Sequence, residues 1–279
     1  MDRILTSGRT AVITGGADGI GAACAKAFAG YGMNVVVVDR NEEMLAATRA
    51  ELEAIDGAGT IRALSVDVAD LAAVESLRDQ IREEFGEVGV LMNNAGIGAG
   101  GKAWSNIDGW RQVIETNLWG IVNGVHTFVP FMLEQGQPGA IVNTGSKQGL
   151  TNPPGNVAYN VAKAGVRTLT EALAHELREA GAELTAHLLI PGFTYTGLMR
   201  RHIPEKPPGA WLPEQVADFL LEALENGDFY VLCPDNDVPN ELDHRRLQWN
   251  TTDIVANRPA LSRWHPDYAD AFAAFVEDS

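Results

Sequence analysis

Residues 10–21 read TAVITGGADGIG: a short apolar run passes directly into the turn Thr14-Gly15-Gly16-Ala17-Asp18-Gly19-Ile20-Gly21, and an alanine-rich amphipathic stretch follows. Glycines let the backbone turn tightly from a strand into a helix. They also let a pyrophosphate approach the helix N-terminus, where unpaired amide N–H groups and the helix dipole favour anions. A glycine-rich turn by itself is a weak signal, so its neighbours decide the reading.

The next apolar run, 34–39, ends in Asp39. In a nucleotide-binding strand–helix–strand unit this is the position of the adenosine ribose, where a carboxylate accepts hydrogen bonds from both hydroxyls and repels a 2′-phosphate. NAD is therefore the expected cofactor. Arg40 follows directly. A guanidinium there can receive the 2′-phosphate, so NADP stands as the alternative.

The alternation begun at residue 10 continues to about residue 232. β-Branched runs predict strands over 11–14, 34–39, 60–67, 88–93, 140–144, 183–190 and 229–233, and amphipathic stretches predict helices over 19–31, 41–56, 70–86, 107–135, 156–180 and 213–226. Several runs are apolar without alternation, as strands covered on both faces require. Asn41 and Asp70 stand where N-caps belong, and Pro213 where a first helical turn tolerates it. The pattern predicts an α/β fold with a parallel sheet.

Two segments break the rhythm. Residues 192–213, GFTYTGLMRRHIPEKPPGAWLP, hold four prolines and are too long for a routine connection. Residues 193–212 are read as a mobile substrate lid. Residues 234–279, with Trp249, Arg263, Trp264, His265, Pro266, Tyr268 and an apolar finish over 269–276, read as an appended extension of the domain formed by residues 1–233. The extension either folds over the site or clasps a neighbouring subunit.

Chemistry enters at Tyr159 and Lys163, which are i and i+4 on a predicted helix and so share a face. A phenol titrates near pH 10, and bringing it about 3 units down toward a working pH requires roughly 4 kcal/mol. One ammonium at ~4 Å, at an effective dielectric near 20, supplies about that much. Ser146 lies just past the predicted strand 140–144. Its hydroxyl can donate to a substrate oxygen and stabilise charge developing there.

Together, TGGADGIG over 14–21, Asp39, Asp67-Val68, Asn93-Asn94-Ala95-Gly96, Asn117, Ser146, Tyr159-x-x-x-Lys163 and Pro191-Gly192 resemble, in order and approximate spacing, the short-chain dehydrogenase/reductases. The resemblance covers residues 8–233, and the combined motifs are highly specific. It implies a single-domain Rossmann-type fold, a doubly wound parallel seven-stranded sheet with helices on both faces, and hydride transfer between a nicotinamide cofactor and an alcohol or carbonyl. It further implies that Tyr159 exchanges the proton with the substrate oxygen while Ser146 orients that oxygen. Lys163 would lower the Tyr159 pKa and bind the nicotinamide ribose, and Asn117 would kink its helix and hold a water in a relay toward Lys163. For the cofactor it implies Gly15, Gly16, Asp18, Gly19, Ile20 and Gly21 at the phosphates, with Asp39 and Arg40 at the ribose. Asp67 and Val68 would lie at the adenine, Asn94, Ala95 and Gly96 along the cofactor, and Pro191, Gly192, Thr194 and Thr196 at the carboxamide.

For the substrate, Gly98, Gln148, Phe193, Tyr195, Met199, Arg200 and Trp211 are the candidates. Gly98, Gly100 and Gly101 leave room after the fourth strand, and the aromatic and thioether side chains suit an apolar or ring-bearing secondary alcohol or ketone. Arg200, Arg201 and His202 form a basic cluster that is either a partner for a substrate anion or surface charge.

The composition bounds the partners. With 21 basic against 37 acidic side chains the formal charge is −16. Such a field repels polyanions and acidic lipid faces, so neither nucleic acid nor a membrane is expected as partner. No apolar stretch approaches the ~20 residues that span a bilayer. Cys24 and Cys233 are the only thiols, and MDRILTSGRT shows no apolar signal core, so a cytoplasmic protein is expected. The six histidines are scattered without ligand spacing, so no metal is expected. Residues 121–132, IVNGVHTFVPFM, carry apolar residues beyond one buried face. In the resembled family the corresponding helix pairs between subunits, which implies a homo-oligomer, dimer or tetramer.

Overall fold

Val35, Val36, Val37 and Val38 are all fully buried, and they face two different cores. Val35 and Val37 join Phe28, Met33 and Leu220, whereas Val36 and Val38 join Leu77, Phe128 and Met132. The period-2 alternation of a strand distributes an unbroken apolar run over both faces of a sheet, and each face then needs its own helices.

The computed structural model describes residues 3–98, 100–200 and 203–277. In chain order the elements begin β1 (Thr10–Thr14), α1 (Gly19–Gly30), β2 (Asn34–Asp39), α2 (Glu42–Glu53), β3 (Ile61–Ser65), α3 (Leu71–Phe85), β4 (Val90–Asn93) and α4 (Ile107–Ile114). They continue with α5 (Gly120–Glu134), β5 (Gly139–Thr144), α6 (Gln148–Thr151), α7 (Val157–Glu179), β6 (Leu184–Ile190) and α8 (Gly197–Arg200). The chain ends in α9 (Pro213–Asn226), β7 (Tyr230–Leu232), α10 (Asn240–Val255) and α11 (Ala269–Glu277). The seven strands form one sheet in the order β3-β2-β1-β4-β5-β6-β7, and every pairing is parallel. One core is built from α1, α2 and α9, the other from α3, α5 and α7. This is the doubly wound, Rossmann-type α/β sheet that the alternation and the motifs imply.

The strand order reverses at β1, whose neighbours are β2 and β4. In open parallel sheets the crevice outside the strand C-termini at such a switch point is where a ligand binds. The glycine-rich turn leaves β1 there, and Asn94 leaves β4 beside it.

The expected caps are present: Asn41 Oδ1 accepts from Met44 N at 3.0 Å, Asp70 Oδ1 from Ala72 N at 3.0 Å, and Pro213 opens α9. The helix expected over 107–135 is interrupted, because a π-helical turn at Glu115–Trp119 separates α4 from α5. The wider turn carries Asn117, whose side chain is bonded sideways to the chain at Ile97. The apolar surplus over 121–132 is absorbed within the chain, since Ile121, Phe128, Val129, Phe131 and Met132 are all buried.

Beyond β7 the chain forms α10 and α11, and α10 lies against α6 of the same chain, with Asn250 Nδ2 donating to Leu150 O at 3.2 Å. The tail has a small core of its own. Trp249 stacks near Phe272 and Phe275, donates Nε1 to Ser262 Oγ at 2.8 Å, and lies under the Arg258 guanidinium. Among the described residues no helix is long and apolar enough to cross a membrane.

Candidate active site

The glycine-rich turn is shaped by what lies against it. Gly15 has φ +63, and a Cβ there would meet the Ala95 backbone at 2.7 Å; a Cβ on Gly21 would meet Gly15 O at 2.2 Å. Only bare backbone lets the turn close against α1 and the chain after β4, which leaves the cradle that a pyrophosphate needs. Asn94 holds the far wall. Its N–H donates to Thr14 Oγ1 at 2.9 Å, its Nδ2 to Thr14 O and Gly15 O at 3.2 Å, and its Oδ1 accepts from Thr144 Oγ1 at 3.2 Å. One side chain thus fastens the C-terminal ends of β1, β4 and β5 together.

At the end of β2, Asp39 Oδ1 accepts the N–H groups of Arg40 and Asn41 at 2.7 and 3.1 Å, which anchors the carboxylate. Arg40 reaches sideways to Asp67 Oδ2 at 3.1 Å. Val68 is buried against Gly120, and its carbonyl accepts from Asn123 Nδ2 at 2.9 Å. Asp39, Arg40, Asp67 and Val68 therefore border one edge of the crevice.

The predicted proton-handling residues converge from three elements. Ser146 follows β5, Tyr159 and Lys163 lie one turn apart on α7, and Asn117 occupies the π-helical turn. Asn117 Oδ1 accepts from Ile97 N and its Nδ2 donates to Ile97 O, both at 2.8 Å, so it clamps the segment after Gly96. Lys163 is buried, its Nζ 5.7 Å from the Tyr159 ring centre, and it donates to Thr144 O at 2.6 Å. α6 approaches α7 at this point because residue 149 is glycine: a Cβ there would lie 2.5 Å from the Lys163 backbone.

The titration behaviour differs from simple ammonium control of the phenol. Burial raises the Tyr159 pKa above its ordinary value, and the hydrogen bond with Ser146 opposes the rise. Burial also lowers Lys163 to about 8. The ammonium is turned toward the Thr144 carbonyl, so the nearest group drawing the phenol down is the Ser146 hydroxyl.

The candidate substrate residues separate into two groups. Gly98 faces Leu198 of α8, with a Cβ at that glycine 3.5 Å from Leu198 Cδ1, and Gln148 N donates to Ser146 Oγ at 3.2 Å. Ile97, Trp110 and Tyr159 pack with Val113, Ala158 and Ala162 into an apolar cluster at the phenol. Trp211 instead packs edge-on against Phe219 of α9, with ring centres 6.0 Å apart, and its backbone pairs with Phe193 O and Tyr195 N at the base of the 193–212 segment. Tyr195 donates its hydroxyl to Pro204 O, inside that segment. Met199 lies in α8, where Arg200 pairs with Asp18 of the glycine-rich turn. Arg201 and His202, the rest of the basic cluster, lie outside the described residues.

Sequence reasoning missed four participants. Thr144 contributes the carbonyl that Lys163 binds, and Leu198 the side chain over Gly98. Asp235 and Asp243, from beyond β7, bind Lys147 beside Ser146. Nothing in the local pattern marks these, since each depends on segments far apart in the chain. Among the described residues no group of three or more His, Cys, Asp or Glu could hold a metal ion.

A family model described as short chain dehydrogenase matches residues 9–207. A short-chain dehydrogenase/reductase from Burkholderia phymatum, solved in complex with NAD, is 35% identical; the match covers 93% of this chain and 98% of that one, with a TM-score of 0.82. A metagenomic short-chain oxidoreductase solved with NADP is 28% identical, over 82% of this chain and 98% of that one, with a TM-score of 0.68. The 2,5-dichloro-2,5-cyclohexadiene-1,4-diol dehydrogenase of Sphingobium indicum is 36% identical over 67% of this chain and 73% of its own length.

Proposed function

The chain belongs to the short-chain dehydrogenase family of oxidoreductases, and from that premise we propose that it is an NAD-dependent dehydrogenase of neutral, ring-bearing secondary alcohols, or the corresponding ketone reductase run in reverse. The observation that carries the reading is the convergence of Ser146, Tyr159 and Lys163 beside the switch-point crevice. When bound, the nicotinamide supplies the acceptor for the hydride that leaves the carbinol carbon. Tyr159 takes the hydroxyl proton from the same substrate, and Ser146 donates a hydrogen bond to the oxygen as charge develops on it. Lys163 holds the nicotinamide ribose and sits on the path by which the proton leaves Tyr159. Asn117 keeps the Ile97 segment in place and, with a water, extends that path. Pro191, Gly192, Thr194 and Thr196 hold the carboxamide.

NAD rather than NADP is supported by the anchored Asp39 carboxylate and by the pairing of Arg40 with Asp67. A ring-bearing substrate is supported by the apolar cluster at Tyr159 and by the relative named for a cyclohexadiene diol. A groove of about 470 Å³ lined by Trp104, Ile107 and Trp110 adjoins that cluster through Trp110, and supports a bulky one. A neutral substrate is supported by the pairing of Lys147 and Arg200 with aspartates. Residues 193–212 act in this reading as a lid and residues 234–279 as an extension of one catalytic domain. A homo-oligomer is supported by Trp119 and Val161, which are 54% and 46% exposed.

Fluorescence titration with NADH and NADPH, followed by a panel of cyclic, aromatic and acidic secondary alcohols, tests the proposal. Tighter NADH binding and turnover of cyclic or aromatic alcohols are expected. Preference for NADPH would move the control of the ribose site to Arg40. Binding without any turnover would replace the enzyme with a nucleotide-sensing protein.

A further inference from the structure

We propose that Lys147, Asp235 and Asp243 form a buried positioning cluster through which α10 and the segment after β7 hold the Ser146 loop in its working geometry, an inference that rests on the role given to Ser146 above. Lys147 directly follows Ser146 in the chain. Its Nζ lies 3.2 Å from Asp235 Oδ2 and 2.5 Å from Asp243 Oδ2, with side-chain exposures of 15% for the lysine and 6% for each aspartate.

Three parts of the site meet at this cluster. The Lys147 backbone opens α6, its carbonyl accepting the N–H groups of Leu150 and Thr151 at 3.1 Å. Asp235 Oδ2, besides meeting the lysine, accepts Phe193 N at 3.1 Å, so one carboxylate oxygen joins the loop after β5 to the turn after β6. Gly192 lies between them. A Cβ there would fall 2.6 Å from Asp235 Oδ2 and 2.8 Å from Lys147 Nζ, so a side chain on the Pro191-Gly192 turn would force the cluster apart. The second aspartate comes from α10, where Arg246 Nη1 lies 3.7 Å from Asp243 Oδ1 and offsets part of the surplus negative charge.

Stability is a poor account of such a group. Taking charges out of water is costly, and apolar residues of similar volume often serve a fold as well or better. What an ion cluster offers that an apolar contact lacks is direction. Each charge has one place to sit, so Ser146, one bond from the lysine residue, and Phe193, hydrogen-bonded to the aspartate, are fixed relative to one another. Lys147, Asp235 and Asp243 are positioning residues in this account, since they act on the chemistry through Ser146 and the 191–193 turn.

The experiment uses the full-length protein with NAD and an alcohol that the wild type oxidises. Asp243→Asn, Asp243→Glu, Lys147→Met and Lys147→Arg are compared with Ser262→Ala, which breaks the Trp249–Ser262–Asp253 bonds inside the tail without touching the cluster. Expected are a fall in kcat of about tenfold for Asp243→Asn and Lys147→Met, with KM and NADH affinity within about twofold, and recovery of most of kcat in Lys147→Arg. Ser262→Ala is expected to lower the melting temperature and keep kcat. Wild-type kcat in folded Asp243→Asn and Lys147→Met overturns the proposal, as does a loss in Ser262→Ala as large as theirs. Should both neutralising variants fail to fold, Asp243→Glu decides, because it keeps the charge and moves it by one methylene: reduced kcat supports positioning and unchanged kcat overturns it. A wild type that binds NADH and oxidises no alcohol would defeat the functional reading itself, a result separable from all of these.

Discussion

The two sides of the crevice are built by different means. The proposed cofactor side, from β1 to Gly96, is assembled from bare backbone and short polar residues: glycines that admit no Cβ, and Asn94 bonded to Thr14, Gly15 and Thr144. The proposed substrate side, beyond its apolar cluster at Tyr159, is tied by charged side chains that meet across long stretches of sequence, Lys147 with Asp235 and Asp243, and Arg200 reaching across to Asp18 of the glycine-rich turn. Backbone shape leaves a local trace in sequence because it needs particular residues at adjacent positions. A long-range ion pair leaves none, because its members are separated by dozens of residues and meet only in the fold.

The contrast can be broken at its centre. Tyr159→Phe should lower turnover by roughly 1,000-fold or more while NADH affinity, measured by fluorescence, stays nearly unchanged; near-normal turnover would remove Tyr159 from the chemistry and dissolve the division of labour. The next largest effect concerns Lys163, the charge nearest both sides. Its pKa is about 8 in the folded protein against an ordinary 10.5. Between those values the unfolded chain holds a proton that the folded one has released, so stability rises with pH across the window. Urea unfolding should therefore show wild type gaining about 2 kcal/mol relative to Lys163→Met between pH 8 and 10. A flat difference would mean that the ammonium is not desolvated.

Asp39→Ala sharpens the cofactor side and should narrow the ratio of NADH to NADPH affinity by about tenfold through loss of one charge-assisted contact and one repulsion. An unchanged ratio would place selectivity on Arg40. The smallest effect is expected from Arg200→Ala, which severs the tie between α8 and the glycine-rich turn. The pair is exposed, and such pairs contribute about 0–1 kcal/mol, so KM for alcohol should move by no more than about fivefold at unchanged kcat. A collapse of kcat would instead make the lid and the phosphate turn one unit.

The places where sequence reading stopped share a cause. Asn41, Asp70 and Pro213 were legible because a cap acts within four residues of itself. Tyr159 and Lys163 were legible because a helix brings i and i+4 together. The π-helical turn at Glu115–Trp119 was legible only as the kink at Asn117 that the family resemblance implies, since the bonds that accompany it join Asn117 to Ile97, 20 residues away. Trp211 shows the same limit from the other side. Its residue type suits a substrate wall, and only tertiary packing shows that the ring also lies against Phe219.

By itself, the amino-acid sequence determined the alternation of strands and helices, the glycine-rich turn, the acid at the end of β2 and the shared helix face of Tyr159 and Lys163, because each is a matter of periodicity, backbone permission or helical spacing; Ser146 joined that pair only through the family resemblance. Only the tertiary structure decided which tail residues meet Lys147, where Lys163 points and how the apolar run 121–132 is covered. Those depend on which distant surfaces come within a few ångströms, and short-range forces act only once the fold has brought them there.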